Sequence, residues 1–79
     1  MKQDKERLRW QCRRGMLELD MLLEDFLEQR FDHLSIDEQK HFIELLRQPD
    51  PFLFSWIIGD EQPEYAPFSK IIALIKRIN

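Results

Sequence analysis

The side chains best suited to covalent chemistry in this 79-residue chain are one thiol, Cys12, and two imidazoles, His33 and His41. Cys12 has Arg13 and Arg14 beside it, and neighbouring cations can lower a thiol pKa enough to make a nucleophile. Its place on a stripe with Leu8 and Met16 favours instead a buried structural thiol. Neither histidine has a catalytic partner close by in sequence, and surface or helix-end roles suit both. One cysteine excludes an internal disulfide, and without a CxxC or HxxxH grouping these residues make no zinc or iron site. A different cluster stands out at Arg14, Gly15 and Glu18. It is either punctuation between two helices or a surface for another molecule to read, and composition alone favours helix capping.

The elements around that cluster follow from the apolar pattern. Leu8, Cys12, Met16, Leu19, Leu23 and Phe26 recur at three- and four-residue steps, which taken alone allows one helix from about residue 4 to 31. Such a helix is about 42 Å long, whereas a domain of this length has a radius of gyration of about 12 Å. The pattern is therefore expected to break at Gly15, where glycine accepts the left-handed conformation that ends a helix. Arg14 is then expected in the last turn of the first helix, against its carbonyls, and Glu18 in the first turn of the second, against its amides. If the chain stays nearly helical through the junction, Arg7, Gln11, Arg14 and Glu18 share one polar stripe. Capping pairs of this kind contribute only about 0.3 to 1 kcal/mol each.

The later boundaries carry clearer marks. Ser35, Ile36, Asp37 and Glu38 fit a capping box that opens a third helix at Ser35. Its inward residues are Phe42, Ile43, Leu45 and Leu46, and it must stop before Pro49. Asp50 and Pro51 read as an N-cap followed by proline in first helical position, and Phe52, Leu53, Trp56 and Ile57 form a stripe that Gly59 ends. Trp56 is expected in the core. A last helix carries Phe68, Ile71, Ile72, Ile75 and Ile78, with Lys76 and Arg77 near its C-terminus as the helix dipole prefers. The expected fold is all-α, a single small bundle of five short helices spanning 1–79, with residues 1–4 a frayed N-terminus.

Charge narrows the function classes. The net charge is -3, but residues 1–14 hold six bases (Lys2, Lys5, Arg7, Arg9, Arg13, Arg14) against Asp4 and Glu6, a net +4 that leaves -7 for the remainder. A basic arm on an acidic body can touch nucleic acid, form a solvated helix face or dock on an acidic protein. The pI near 5.3, the single aromatic Trp10 in the basic stretch and the lack of an RNA-binding signature argue against nucleic acid. No apolar run approaches the length of about 20 residues that spans a bilayer, and Met1 leads into charged residues rather than a signal-peptide core. The expectation is a cytoplasmic, monomeric protein without membrane insertion.

Arg7, Trp10, the run Cys12-Arg13-Arg14-Gly15-Met16-Leu17-Glu18-Leu19-Asp20, then Phe26, the Leu45-Leu46 pair, Asp50 and Trp56 resemble the succinate dehydrogenase assembly factor 2 family, called SdhE in bacteria. The family's RGxxE motif falls on Arg14, Gly15 and Glu18. The absence of a transit peptide suits a bacterial member. The resemblance implies a chaperone-like, non-catalytic assembly factor that helps the flavoprotein subunit of succinate dehydrogenase, and often fumarate reductase, acquire covalent FAD. In that chemistry a histidine of the flavoprotein attacks the flavin 8α-methyl carbon after a proton leaves. This chain offers no nucleophile-base pair for the step, so the resemblance implies that the client's own residues react, held in geometry by the factor. No tightly bound cofactor is expected, since a glycine-rich phosphate loop is missing, and FAD is the client's. Gly15 would let a client backbone approach, Arg14 would contact a client carboxylate or carbonyl, and Glu18 would pair with a client base or orient Arg14. Arg7 would extend the patch; Trp10 is an interface anchor or a packing residue. A different class stays open within the same resemblance, an antitoxin-like regulatory module for a membrane partner.

Overall fold

Residues 5–77 are described by a computed structural model; the fraying expected of residues 1–4 and the place of Ile78 on the last apolar stripe lie outside them. Among the described residues five α-helices follow one another: α1 (Lys5–Gln11), α2 (Leu17–Gln29), α3 (Ile36–Leu45), α4 (Asp50–Ile57) and α5 (Ala66–Lys76). There is no strand among the described residues, so the all-α bundle stands. A short 3₁₀ turn at Phe31–His33, which apolar periodicity does not announce, joins α2 to α3. The longest dimension is 34 Å and the radius of gyration 11.4 Å, too small for the uninterrupted first helix of about 42 Å that the pattern alone allowed.

The core forms where the apolar stripes meet. Leu19, Leu23, Phe26 and Leu27 of α2 are completely buried, together with Phe42 and Leu45 of α3, Leu53 of α4, and Ile71 and Ile75 of α5. Phe26 and Phe42 meet at 5.1 Å between ring centroids, and Phe31 closes on Phe42 at 5.8 Å. The capping box at α3 is formed in both directions: the Ser35 hydroxyl accepts from the Glu38 N-H, and the Glu38 carboxylate accepts from the Ser35 N-H. After α4 the chain turns at Gly59, where a Cβ would sit 2.8 Å from the Ser55 carbonyl oxygen. No helix among the described residues is long and apolar enough to cross a membrane.

Three expectations are corrected. Helix α1 ends at Gln11, so Arg14 lies in the connecting loop rather than in a last helical turn, and the stripe of Arg7, Gln11, Arg14 and Glu18 is broken by residues 12–16. The physical cause is Asp20, whose carboxylate accepts from the N-H groups of Arg14 (2.8 Å) and Gly15 (3.1 Å) and holds the loop out of helical register. Asp50 is the first residue of α4 rather than its cap; Pro49 takes the cap position with no side-chain bond, its carbonyl accepting the Leu53 N-H at 3.2 Å, and the Asp50 carboxylate is engaged by Arg14 instead. Trp56 is only partly buried at the edge of the core, and Phe52, expected on the inward stripe, is 52% exposed.

Candidate functional site

The site grows out of the loop between α1 and α2. Gly15 has φ +80°, the left-handed region that glycine enters without a Cβ penalty. It thereby reverses the chain, and α1 lies antiparallel along α2. Along that seam Lys5 pairs with Asp32 at 3.0 Å, Arg9 with Glu28, and Arg13 with Glu24 at 3.5 Å. Steps of four residues along α1 and into the loop that follows it meet steps of four back along α2 from the turn after it, an ion-pair ladder fixed by the antiparallel register. The hydrogen bond between Arg9 and Glu28 holds the Glu28 carboxyl below the usual carboxylate range and raises Arg9. Much of the basic segment's charge is therefore balanced within the domain.

Arg14 faces inward. Its side chain is 14% exposed, one Nη donates to the Leu46 carbonyl, and the other donates to the Gln48 carbonyl at 3.3 Å and to Asp50 Oδ1 at 2.9 Å. The guanidinium thus ties the Gly15 loop to the α3–α4 connection and the start of α4. Its Nε is buried without a partner, as is Gln11 Oε1. Around it Trp10, Gln11, Arg13, Leu46 and Arg47 line a shallow depression.

Gly15 and Glu18 face outward. No heavy atom beyond its chain neighbours lies within 4 Å of the place a Gly15 Cβ would occupy, so the backbone is open to close approach. Glu18 is exposed in the first turn of α2 and has no hydrogen-bond or ion-pair partner among the described residues. Trp10 is 69% exposed, with the Arg13 guanidinium 5.2 Å above its ring, so it is not a packing tryptophan. Arg7 is exposed on α1 and engaged within the domain. The fold thus unites Arg14 and Gly15 in one turn, followed at once by Glu18, but it divides them between its inner and outer sides. Two apolar side chains that the sequence reading missed share this surface's helix: Leu17 is 77% and Met21 56% exposed. Their signal was present, since both fall off the Met16, Leu19, Leu23, Phe26 stripe and are one helical turn apart.

The groups suited to covalent chemistry stand elsewhere. Cys12 is fully buried, and burial, followed by the nearby Glu24 carboxylate, pushes its thiol up to about 12. A thiol so protonated at neutral pH is not a nucleophile. His33 is exposed, and His41 meets the Tyr65 ring edge-on at 6.3 Å. Among the described residues no three metal-ligating side chains cluster. The arrangement suits recognition: a rigid turn with a bare backbone, a carboxylate and an exposed indole.

A family model described as flavinator of succinate dehydrogenase matches residues 6–79. The chain is 49% identical over 74 residues to the FAD assembly factor SdhE of Coxiella burnetii, covering 94% of this chain and 90% of that protein. It is 50% identical over 62 residues to the protein of the same name from Vibrio vulnificus, covering 78% and 72% of the two chains. With that from Legionella pneumophila it shares 49% identity over 61 residues, covering 77% of each.

Proposed function

The chain belongs to the flavinator of succinate dehydrogenase family, and from that premise we propose that it is a non-catalytic assembly factor promoting covalent FAD attachment to the flavoprotein subunit of succinate dehydrogenase, and of fumarate reductase. Its contact surface on this reading is the outer side of the α1–α2 turn: the Gly15 backbone, the Glu18 carboxylate and Trp10, with Arg7 extending the patch along α1. The observation that carries it is the pairing of an unobstructed left-handed glycine with an exposed carboxylate that has no partner in the described domain. A carboxylate left unpaired beside an open backbone is available to a client's lysine or arginine. Arg14 acts as a positioning residue, because its three acceptors already lie within the domain.

The chemistry belongs to the client. FAD is the client's cofactor on this reading, and the thiol that this chain contributes is protonated at neutral pH. The factor works by favouring the client conformation in which the client's own residues are aligned, and it can do so only by the difference between its affinities for that form and the others. Release follows when maturation removes the favoured form. The test is in-gel flavin fluorescence of denatured client subunit from cells that carry the wild-type factor, Glu18→Gln or no factor. Loss of covalent flavin with a normally folded Glu18→Gln protein supports the reading; full flavinylation by that variant overturns the role of this surface.

A further inference from the structure

Helix α4 presents a second, separate surface. Its sequence, DPFLFSWI, places large apolar side chains around the whole circumference, yet only Leu53 and Ile57 are buried. A helix apolar on all sides is ordinarily enclosed on all sides. Here Phe52, 52% exposed, stacks on Trp56 at 5.6 Å, Trp56 meets Phe68 at 6.1 Å, and Phe68 meets Tyr65, itself 50% exposed, at 4.9 Å. These ring contacts join α4 to the start of α5 through Phe68, which is buried, and Trp56, which is half-buried, and they leave Phe52 and Tyr65 exposed at the two ends. Exposed aromatic side chains clustered in this way mark a place where another molecule sits.

The rim identifies the occupant. Asp60, Glu61 and Glu64 in the connection to α5 are all exposed, and their carboxylates have no partner among the described residues. The Glu61 N-H donates to the Ser55 carbonyl at 3.2 Å, which fixes the acidic loop against α4. The nearby Lys76 ammonium bonds the Gly59 carbonyl at 3.1 Å instead of these acids. A second copy docked about a two-fold axis through this loop would bring the same acids close to one another, a juxtaposition that costs several kcal/mol. We infer that the aromatic band of α4 and α5 is a docking surface for a polypeptide segment of apolar residues flanked by lysine or arginine. Its cations would meet both the three carboxylates and the faces of Phe52, Trp56 and Tyr65.

The test uses the full chain carrying Trp10→Phe, which leaves Trp56 as the sole indole, and a synthetic amphipathic peptide of leucine and arginine as the probe. Saturable change in indole emission is expected with this peptide, and none with its leucine-glutamate counterpart. Phe52→Ser, and separately the pair Glu61→Lys with Glu64→Lys, should each weaken binding about tenfold or more. If Phe52→Ser loses its helical circular dichroism, the charge-reversed pair decides. Equal binding by the charge-reversed protein, or by the acidic peptide, overturns the inference. So does self-association in sedimentation that Phe52→Ser abolishes, since the occupant would then be a second copy. Gly15→Arg should bind the probe as the parent does, which keeps this outcome distinguishable from failure of the α1–α2 surface.

Discussion

Replacing Arg14 with alanine separates a clamp from a client contact. Of the three bonds lost, that to Asp50 Oδ1 has ordinary geometry at 2.9 Å, that to Gln48 at 3.3 Å is weak, and the remaining one goes to the Leu46 carbonyl. Hydrogen bonds from a charged donor contribute about 1.5 to 3 kcal/mol each, but Asp50 is 39% exposed and is rehydrated when its partner leaves. Nε makes no bond in the native domain and subtracts from the gain. The net expectation is a loss of about 2 to 4 kcal/mol. A chain of this length has a total stability of about 4 to 12 kcal/mol, so the loss is a large share. At about 4 to 8 °C per kcal/mol for a small domain, the melting temperature read by circular dichroism should fall by roughly 10 to 30 °C. Arg14→Lys should recover only part, because one ammonium cannot span acceptors arranged for a planar fork. Flavinylation measured well below the melting point of Arg14→Lys should stay near the wild-type level. An Arg14→Ala protein that melts within about 2 °C of wild type and fails to support flavinylation would refute the clamp and make the guanidinium a client contact.

At Gly15, alanine and arginine share the strain of a left-handed backbone, about 1 to 2 kcal/mol, so any further loss of flavinylation in Gly15→Arg over Gly15→Ala reports bulk at the docking surface; equal activity of the two would remove close approach from the account. Acid should weaken the fold through Glu28 and Glu38, whose folded carboxyls are depressed by the Arg9 hydrogen bond and by the Ser35 backbone N-H respectively. Because their folded values lie below the unfolded one, the stabilisation is present above about pH 4.3 and is lost as pH falls through the folded values; Glu28→Gln should flatten that limb of a melting-temperature profile, and an unchanged profile would deny the ladder a role. Cys12 should resist iodoacetamide at pH 8 in the native protein and react at a rate that rises with urea as the domain opens, whereas rapid labelling in native buffer would contradict its burial and its thiol near 12.

Local rules reached far in this chain. Ser35 and Glu38 announce the third helix because both capping bonds close within one turn, and the isoleucines of α5 keep a spacing that only a helix can bury on one side. The break at Gly15 came from chain length and domain size rather than from periodicity, which runs through the junction undisturbed. What local rules could not deliver is the direction of Arg14. Its acceptors at Leu46, Gln48 and Asp50 lie more than thirty residues away, and nothing in a window around Gly15 distinguishes a cation facing inward from one facing out. Asp50 was misread for the same reason, since a cap and a distant ion-pair partner are the same residue type in the same place. The seam ladder is intermediate: Lys5, Arg9 and Arg13, and likewise Glu24, Glu28 and Asp32, are spaced at four, but their pairing becomes readable only once α1 is folded back on α2. In α4 a stripe argument fails because the helix is apolar all round, so no pattern marks which of Phe52, Leu53 and Trp56 is inside.

The division of the turn restricts what can dock on it. A client that approached the Arg14 Nη groups would compete with the bonds they already make to two carbonyls and a carboxylate. Asp20 is likewise held by the N-H groups of Arg14 and Gly15. Of the charges in this turn, the one left to an incoming surface is the negative charge of Glu18, flanked by the exposed Leu17 and Met21. On the proposed function the complementary client patch is therefore basic and apolar, and its affinity should fall with added salt as a single desolvated ion pair falls. The internal bonds also fix the turn before any partner arrives, so association need not order it; this removes an entropic cost and favours fast contact. Release on the proposed function therefore rests on a change in the client rather than on a loosely ordered turn. Arg14 contributes to function on this account by keeping Gly15 and Glu18 in place while remaining out of reach.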